Sequence, residues 1–450
     1  MTKDYVLLES TISICNECLA KVEAKIIRKK GGIFIKKLCP IHGIQEEILE
    51  ENPEYYYKKN LYYKPGTACE TQTTYNKGCP RDCGLCPHHE QHTCIGLIEI
   101  TNKCDLGCPT CYANSGNGNF LDIKTIEKMM NFYQETEYNK ADILQISGGE
   151  PTLHPEIIEI LKLAKNKNFK YMMLNTNGLR IAADEDFVKK LGEIKLGFEV
   201  YLQFDGFKDS TYKKLRGKNI LEEKIKAIKN LQKYKIPTTL VSTIENGTND
   251  DEIWEIVNFG LKEDYIRGIN FQPVAFFGRG NHNTKNRITL SGIIDEIESQ
   301  SDNFVNFDDF IPLPCDPDRV ALTYLHKKNN LWAPITHKID AVKNLDSIKN
   351  TFAFDLRDIL EEKTKEGDCC NGVCNPWQGL TKILEPKLIL MTKQAQSDYV
   401  NNNFFRISIK SFIDIYNFDI KSVQKDCVHI ITPDLKKIPF STYNMFYRKK

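Results

Sequence analysis

Neither sign of charge prevails in this sequence: 61 lysines and arginines stand against 60 aspartates and glutamates, a formal net charge of +1. Nucleic-acid binders usually carry a basic excess, so no nucleic-acid partner is expected. Long apolar runs are missing too. No stretch approaches the ~18 residues needed to span a bilayer. The opening MTKDYVLLEST lacks the basic flank and apolar core of an export signal. Repeats of solenoid period are absent. These absences leave a cytoplasmic, globular chain with no transmembrane segment, long enough at 450 residues for one large domain with appendages.

Cysteine, by contrast, is abundant. Sixteen are present, most at close C-x2-C or C-x3-C spacing. Without an export signal, that spacing points to metal rather than disulfides. The first group is Cys15, Cys18, Cys39 and His42, in CNEC and CPIH. Three thiolates and one imidazole suit a closed tetrahedral site for a single zinc or iron ion, usually structural. The second group is Cys79, Cys83, Cys86 and Cys94, in GCPRDCGLCPHHEQHTC, four thiolates for an auxiliary [4Fe–4S] cluster. His88, His89 and His92 beside it are candidates to replace a thiolate, to hydrogen-bond cluster sulfur, or to lie in solvent. Cys104, Cys108 and Cys111, in ITNKCDLGCPTCY, form the third group. The last is scattered: a further cluster draws on Cys315, Cys374, Cys427 and either Cys369 or Cys370, with a structural zinc site as the alternative.

Between the cysteines run alternating strand and helix patterns. Strands are expected at Gly96–Thr101, Asp142–Ser147, Lys170–Asn175, Phe198–Phe204, Thr238–Thr243 and Gly268–Pro273. Helices between them show apolar residues three and four apart, as in Ile253, Ile256, Val257 and Leu261. The alternation predicts parallel βα units. Six of them give an α/β fold with a partial (β/α)6 TIM-like barrel, an N-terminal metal-knuckle domain and a C-terminal cysteine-bearing α+β appendage. Boundaries are expected at 1–65 (zinc-ribbon or rubredoxin-like knuckle), 66–94 (auxiliary cluster loop), 95–290 (barrel) and 291–450 (C-terminal auxiliary domain).

Polar or glycine-bearing motifs follow the strands: SGGEP after the second, NTNG the third, QFDG the fourth, STIENG the fifth, QPVAFFGRG the sixth. In parallel barrels the chemistry gathers at the carboxyl ends of the strands. Three cysteines leave a four-iron cluster one ligand short, so the Cys104 loop offers an open iron where S-adenosylmethionine (SAM) can chelate. Gly148 and Gly149 allow close backbone approach, and exposed carbonyls there with Glu150 suit a primary ammonium. Asn177, Gln203 and Asp205 offer hydrogen-bonding groups to ribose hydroxyls or substrate, and Arg279 a partner for a carboxylate or phosphate. Asn270 and Gln272 alternate to one face of the sixth strand, as a barrel-interior pair does.

These motifs together resemble the radical SAM superfamily. CNEC…CPIH, GCPRDCGLCPHHEQHTC, ITNKCDLGCPTCYA, ISGGEPTLHPEI, LNTNGLRIA, LQFDG and CVHIITPDLKKIPFSTYN carry the likeness over most of the chain. They are most similar to a subgroup resembling archaeal tetraether lipid synthases, also known as hydroxymethylpterin methyltransferases. Ser441 departs from that pattern, which has a cysteine there. The resemblance implies a SAM-binding [4Fe–4S] cluster on Cys104, Cys108 and Cys111, SAM itself with its amino group at SGGEP, one or two auxiliary clusters, and an external one-electron reductant such as ferredoxin or flavodoxin. It implies a 5′-deoxyadenosyl radical that abstracts hydrogen from an unactivated carbon. Auxiliary clusters able to hold a carbon radical favour carbon–carbon bond formation on a lipid-like substrate. The alternative is radical methylation of a pterin or similar small-molecule heterocycle. A non-catalytic iron–sulfur electron carrier explains the cysteines but not the glycine–glutamate–proline turn.

Overall fold

The computed structural model of the protein describes residues 4–67, 69–279, 284–345, 348, 350–352 and 391–448. Cys369, Cys370 and Cys374 lie outside the described residues. The chain opens with an antiparallel four-stranded sheet in sequential order: β1 (Val6–Ile14), β2 (Lys21–Lys29), β3 (Gly32–Cys39) and β4 (Gly43–Glu50). Alternation in β2 sends Val22, Ala24 and Ile26 inward and Lys21, Glu23 and Lys25 outward, the pattern of a sheet with one wet face. Helix α1 (Pro53–Leu61) follows, capped by the Asn52 side chain.

The second sheet is the barrel. Its parallel strands β5 (Ile95–Glu99), β6 (Ile143–Ser147), β7 (Tyr171–Thr176), β8 (Phe198–Gln203), β9 (Thr238–Ile244) and β10 (Ile266–Pro273) pair in sequence order. Each begins within two residues of its expected start. Every residue of β6 is buried, as in strands covered on both faces. The connecting helices include α2 (Ile123–Thr136), α3 (Ile157–Lys165), α4 (Leu179–Ala183), α5 (Glu185–Gly192), α6 (Asp209–Arg216), α7 (Leu221–Lys233) and α8 (Ile253–Lys262). Asp122 and Asp184 cap α2 and α5 by accepting from Thr125 and Phe187 backbone N–H groups. Ile253, Ile256 and Val257 of α8 are fully buried against the sheet, each contributing about 1.5–3 kcal/mol by leaving water.

Residues beyond 290 continue this sheet rather than standing apart from it. After α9 (Leu290–Gln300) come β11 (Ile311–Pro312), β12 (Val320–Lys328), β13 (Leu331–Pro334), α10 (Lys393–Asn403), β14 (Phe404–Lys410), α11 (Ile420–Gln424), β15 (Val428–Ile431) and β16 (Lys437–Pro439). Strand β14 pairs parallel with β10, and β12 antiparallel with β14. At the opposite edge β15 pairs parallel with β5. The barrel is therefore flanked on both sides by strands from the end of the chain.

Candidate active site

The Cys104 loop leaves β5 at the carboxyl rim and turns back across the barrel mouth. Cys104, Cys108 and Cys111 are half-buried and line a cavity of about 270 Å³. Gly148, Gly149, Glu150, Asn177 and Gln203 share its wall, and Asn270, Gln272 and Ser408 face it from β10 and β14. Loops and strand ends that are distant in sequence thus meet on one opening, as the βα geometry requires.

The two glycines are fixed by the cysteine loop. Gly148 adopts φ +135°, and a Cβ there would sit 2.1 Å from the Thr101 carbonyl. A Cβ on Gly149 would meet the Lys103 carbonyl at 2.2 Å. The backbone N–H groups of Gly149 and Glu150 donate to those carbonyls, at 2.8 Å each. SGGEP is thus hydrogen-bonded to the segment that presents Cys104.

Glu150 has a different place from the one its sequence suggests. Its carboxylate is 1% exposed and already engaged. Oε1 accepts from the Thr152 backbone N–H and from the hydroxyls of Thr152 and Thr176, and Oε2 accepts from the Asn177 backbone N–H. Burial pushes its pKa up against these hydrogen bonds. The side chain braces the β6 and β7 loops together. Asn177 extends the brace: its Nδ2 donates to Asp105 Oδ1 at 2.6 Å, inside the cysteine loop.

Asp205 is fully buried and stands behind the cavity rather than on its wall. Arg216 lies in front, donating from Nε and an NH2 nitrogen to the two Asp205 oxygens at 2.7 and 2.6 Å. The same guanidinium bonds Thr243 Oγ1 at 2.9 Å and reaches the Cys108 thiol. Lys224 is fully buried, donating to the Asn177 carbonyl and to Gln203 Oε1. Burial lowers its pKa to about 8. Sequence reading missed Arg216 and Lys224. Lys224 had a signal: it occupies the apolar stripe of α7 with Ala227, Ile228 and Leu231. Arg216 had none, following Lys213 and Lys214 in an ordinary basic helix end. Arg279, read as a ligand for a carboxylate, instead bonds the Ser115 carbonyl at 2.6 Å.

The other cysteines divide into three places. Cys15, Cys18, Cys39 and His42 bring their donor atoms within 4.8 Å of one another. Cys18 and Cys39 sulfurs are 3.9 Å apart, and His42 Nδ1 lies 3.4 and 3.5 Å from Cys15 and Cys39. Tetrahedral zinc with bonds of ~2.3 Å to sulfur and ~2.0 Å to nitrogen places its ligands about 3.5–3.8 Å apart, so the set fits one ion. Burial raises the Cys15 thiol, but the Cys18 and Glu17 backbone N–H groups and the neighbouring thiols bring it down to about 6.

Cys94 does not cluster with the three cysteines before it in sequence. It joins Cys315 and Cys427, all three fully buried and within 4.8 Å of one another. The reason is strand pairing: β5 beside β15 carries Cys94 to Cys427, and the Cys94 backbone N–H donates to the Cys427 carbonyl at 2.9 Å. His92 Nε2 is 3.6 Å from the Cys94 sulfur. His89 instead pairs with His429 at 3.1 Å, and His88 packs on the Tyr75 ring. The remaining loop holds Cys79, Cys83 and Cys86, with Cys79 and Cys83 sharing a thiol hydrogen bond. Thr442 also bonds Cys83, so the Ser441 departure falls beside this loop.

The sequence pattern of the radical SAM superfamily matches residues 98–260, and that of the HMPTM N-terminal zinc ribbon domain matches residues 7–51. A Methanocaldococcus jannaschii protein named 7,8-dihydro-6-hydroxymethylpterin dimethyltransferase is 34% identical over 98% of this chain and 94% of its own length. This chain belongs to the radical SAM superfamily. Other relatives match the barrel region: a probable GTP 3′,8-cyclase of Pyrococcus horikoshii is 26% identical over 56% of this chain and 75% of that protein. The Fe-coproporphyrin III synthase of Methanosarcina barkeri is 29% identical over 44% of this chain and 48% of its own. The protein is a radical SAM enzyme, with a [4Fe–4S] cluster, SAM and additional metal sites as its cofactors. The rim residues fit that group: three sulfurs face one cavity, and the glycine turn beside them has no side chain to obstruct a ligand. Among the described residues no helix is long and apolar enough to cross a membrane.

Proposed function

We propose that this radical SAM enzyme methylates a carbon of a pterin or a similar reduced heterocycle. The carrying observation is likeness across the whole chain, metal knuckle and C-terminal strands included, to a protein named for dimethylating 7,8-dihydro-6-hydroxymethylpterin. That relative's name supports a heterocycle over the lipid-like chain and carbon–carbon coupling expected from the sequence. The cavity supports it as well. Side-chain amides stand on two of its walls: Gln145 bonds Asn175 at 2.5 Å on one side, and Asn270 accepts from Ser408 at 3.0 Å on the other. Paired amides suit the donor–acceptor edge of a flat ring.

When bound, the three-cysteine cluster with SAM supplies one-electron cleavage of a carbon–sulfur bond and hence a hydrogen-abstracting radical. This chain's residues do the rest. Cys104, Cys108 and Cys111 are the cluster ligands. The Gly148–Gly149 backbone lies open beside them for the SAM amino group, and Glu150 with Asn177 keeps that backbone in place. Arg216 is the cationic wall group nearest Cys108 and suits a carboxylate. Gln203 is held by Lys224 at a wall position suited to a ribose hydroxyl. Cys15, Cys18, Cys39 and His42 hold a single zinc or iron ion, while Cys79, Cys83 and Cys86, and separately Cys94, Cys315 and Cys427, serve auxiliary centres. A cytoplasmic ferredoxin or flavodoxin supplies electrons.

The test is anaerobic reconstitution followed by incubation with SAM, a reductant and either 7,8-dihydro-6-hydroxymethylpterin or a lipid extract. Pterin-stimulated deoxyadenosine release, with a methylated pterin by mass spectrometry, is the expected result. Stimulation by lipid and none by pterin overturns the reading.

A further inference from the structure

The cavity does not end at the amide walls. It continues down the barrel interior to Ile95, Ile143, Tyr201, Tyr324 and Arg406, away from the cysteine loop. Its deep end carries an unbalanced charge. Glu199 is 2% exposed and is the carboxylate of this layer. Two guanidinium groups face it: Arg267 at 3.5 Å from Oε2, and Arg406 at 3.9 Å from Oε1. Neither distance is a hydrogen bond. Glu199 Oε2 is met instead by the hydroxyls of Tyr171 and Thr239, at 3.2 and 3.4 Å.

Arg406 is the group with capacity to spare. One of its NH2 nitrogens makes a long 3.4 Å bond to Thr239 Oγ1, and Tyr324 bonds the guanidinium as well. Its Nε is buried, with no hydrogen-bond partner among the described residues. Yet the side chain is 24% exposed, and it lines the cavity. The guanidinium is thus short of acceptors, and its exposed part is what a ligand or water in the cavity can meet. The other cations on the wall are already neutralised, Lys410 by Asp316 at 2.5 Å and Arg216 by Asp205 at 2.6 Å.

We infer that the barrel floor is an anion subsite, in which Arg406, backed by Arg267 and Tyr324, holds a phosphoryl or carboxylate substituent of the substrate while the amide walls hold its ring. The inference rests on the reading that this cavity takes the substrate. It adds that the preferred substrate is an anionic ester or acid, not the neutral alcohol. A purely structural role, sewing β14 onto β10, is the competing explanation for Arg406.

Two measurements separate these. The first needs no turnover: calorimetric titration of the reconstituted enzyme with inorganic pyrophosphate. Wild type should bind, Arg406→Gln should bind about 10- to 100-fold more weakly, and Arg406→Lys should fall between, with thermal unfolding unchanged in both. Equal affinity in wild type and Arg406→Gln overturns the subsite, as does a loss accompanied by unfolding of Arg406→Gln and Arg406→Lys alike. The second compares KM for 7,8-dihydro-6-hydroxymethylpterin and its phosphate ester. A lower KM for the ester that disappears in Arg406→Gln, with kcat retained, supports the subsite, whereas identical KM values in wild type sink it. If an anionic ether lipid is turned over in place of both pterins and its KM rises in Arg406→Gln, the pterin reading fails and the subsite stands.

Discussion

The knuckle of Cys15, Cys18, Cys39 and His42 and the loop of Cys104, Cys108 and Cys111 each offer three thiols, but they are built for opposite purposes. In the knuckle four donors from the turns of one small sheet converge within 4.8 Å, so a single ion finds every position filled by protein. In the loop the three thiols face a cavity, and no fourth protein donor is grouped with them among the described residues. Their neighbours differ as well. Peptide N–H groups around Cys15 overcome burial and hold its thiol at about 6, whereas burial beside Glu150 and Asp105 pushes Cys104 up to about 12. A closed site stabilises a fold, and an open one leaves room for a reactant.

Deleting one thiol from each place gives the largest expected contrast. Cys108→Ala should abolish deoxyadenosine release while the knuckle keeps its one metal atom per chain. Cys39→Ala should do the reverse: the knuckle ion is lost, with much of the roughly 10 kcal/mol that a structural zinc contributes, and SAM cleavage persists in whatever fraction stays folded. Elemental analysis, thermal unfolding and deoxyadenosine counts read both. If Cys39→Ala stops cleavage in a fully folded protein, the knuckle is more than structural.

A smaller effect is expected from Gly149→Ala. Its new methyl group would overlap the Lys103 carbonyl and shift the cysteine loop, weakening SAM binding by about 10- to 100-fold, the equivalent of ~1–3 kcal/mol of overpacking. Asn177→Ala removes one tether between loop and turn and should cost about five- to tenfold in SAM affinity, in line with a single hydrogen bond. Equilibrium binding to the iron-loaded enzyme measures each. An unchanged affinity in Gly149→Ala means the turn does not set the loop position.

The two thiols also predict different pH dependence of metal loading. Cys15, depressed to about 6, is mostly thiolate at neutral pH, and among the knuckle thiols only Cys18 is shifted upward, so uptake at the knuckle should fall off less steeply with falling pH than loading at the rim. Cys104, raised to about 12, must give up a proton on binding iron, so loading at the rim should slow as pH falls from 9 to 7. Identical profiles at the two sites would remove the electrostatic part of the contrast.

Much of this was legible in the sequence because the signals are local. Each barrel strand is a short apolar run ended by a polar turn, and the knuckle ligands arrive in pairs on adjacent turns. What escaped depends on long-range pairing. Cys94 reads as the last member of a four-cysteine run, yet pairing of β5 with β15 takes it to Cys427. Residues after 290 have weak periodicity and read as an appendage, whereas β12 and β14 complete the barrel wall and supply Arg406 to its interior. Arg216 was invisible because a helix-end arginine facing solvent and one facing Asp205 have the same sequence.

Both margins of the barrel are closed by strands that follow it in the chain, β14 against β10 and β15 against β5. Until those strands are in place, β5 and β10 present bare backbone to solvent, a condition that invites mispairing. Cys94 meanwhile waits for Cys315 and Cys427. A centre on those three thiols is complete only once β15 has docked beside β5, so any ion it takes must wait for that margin of the barrel to close.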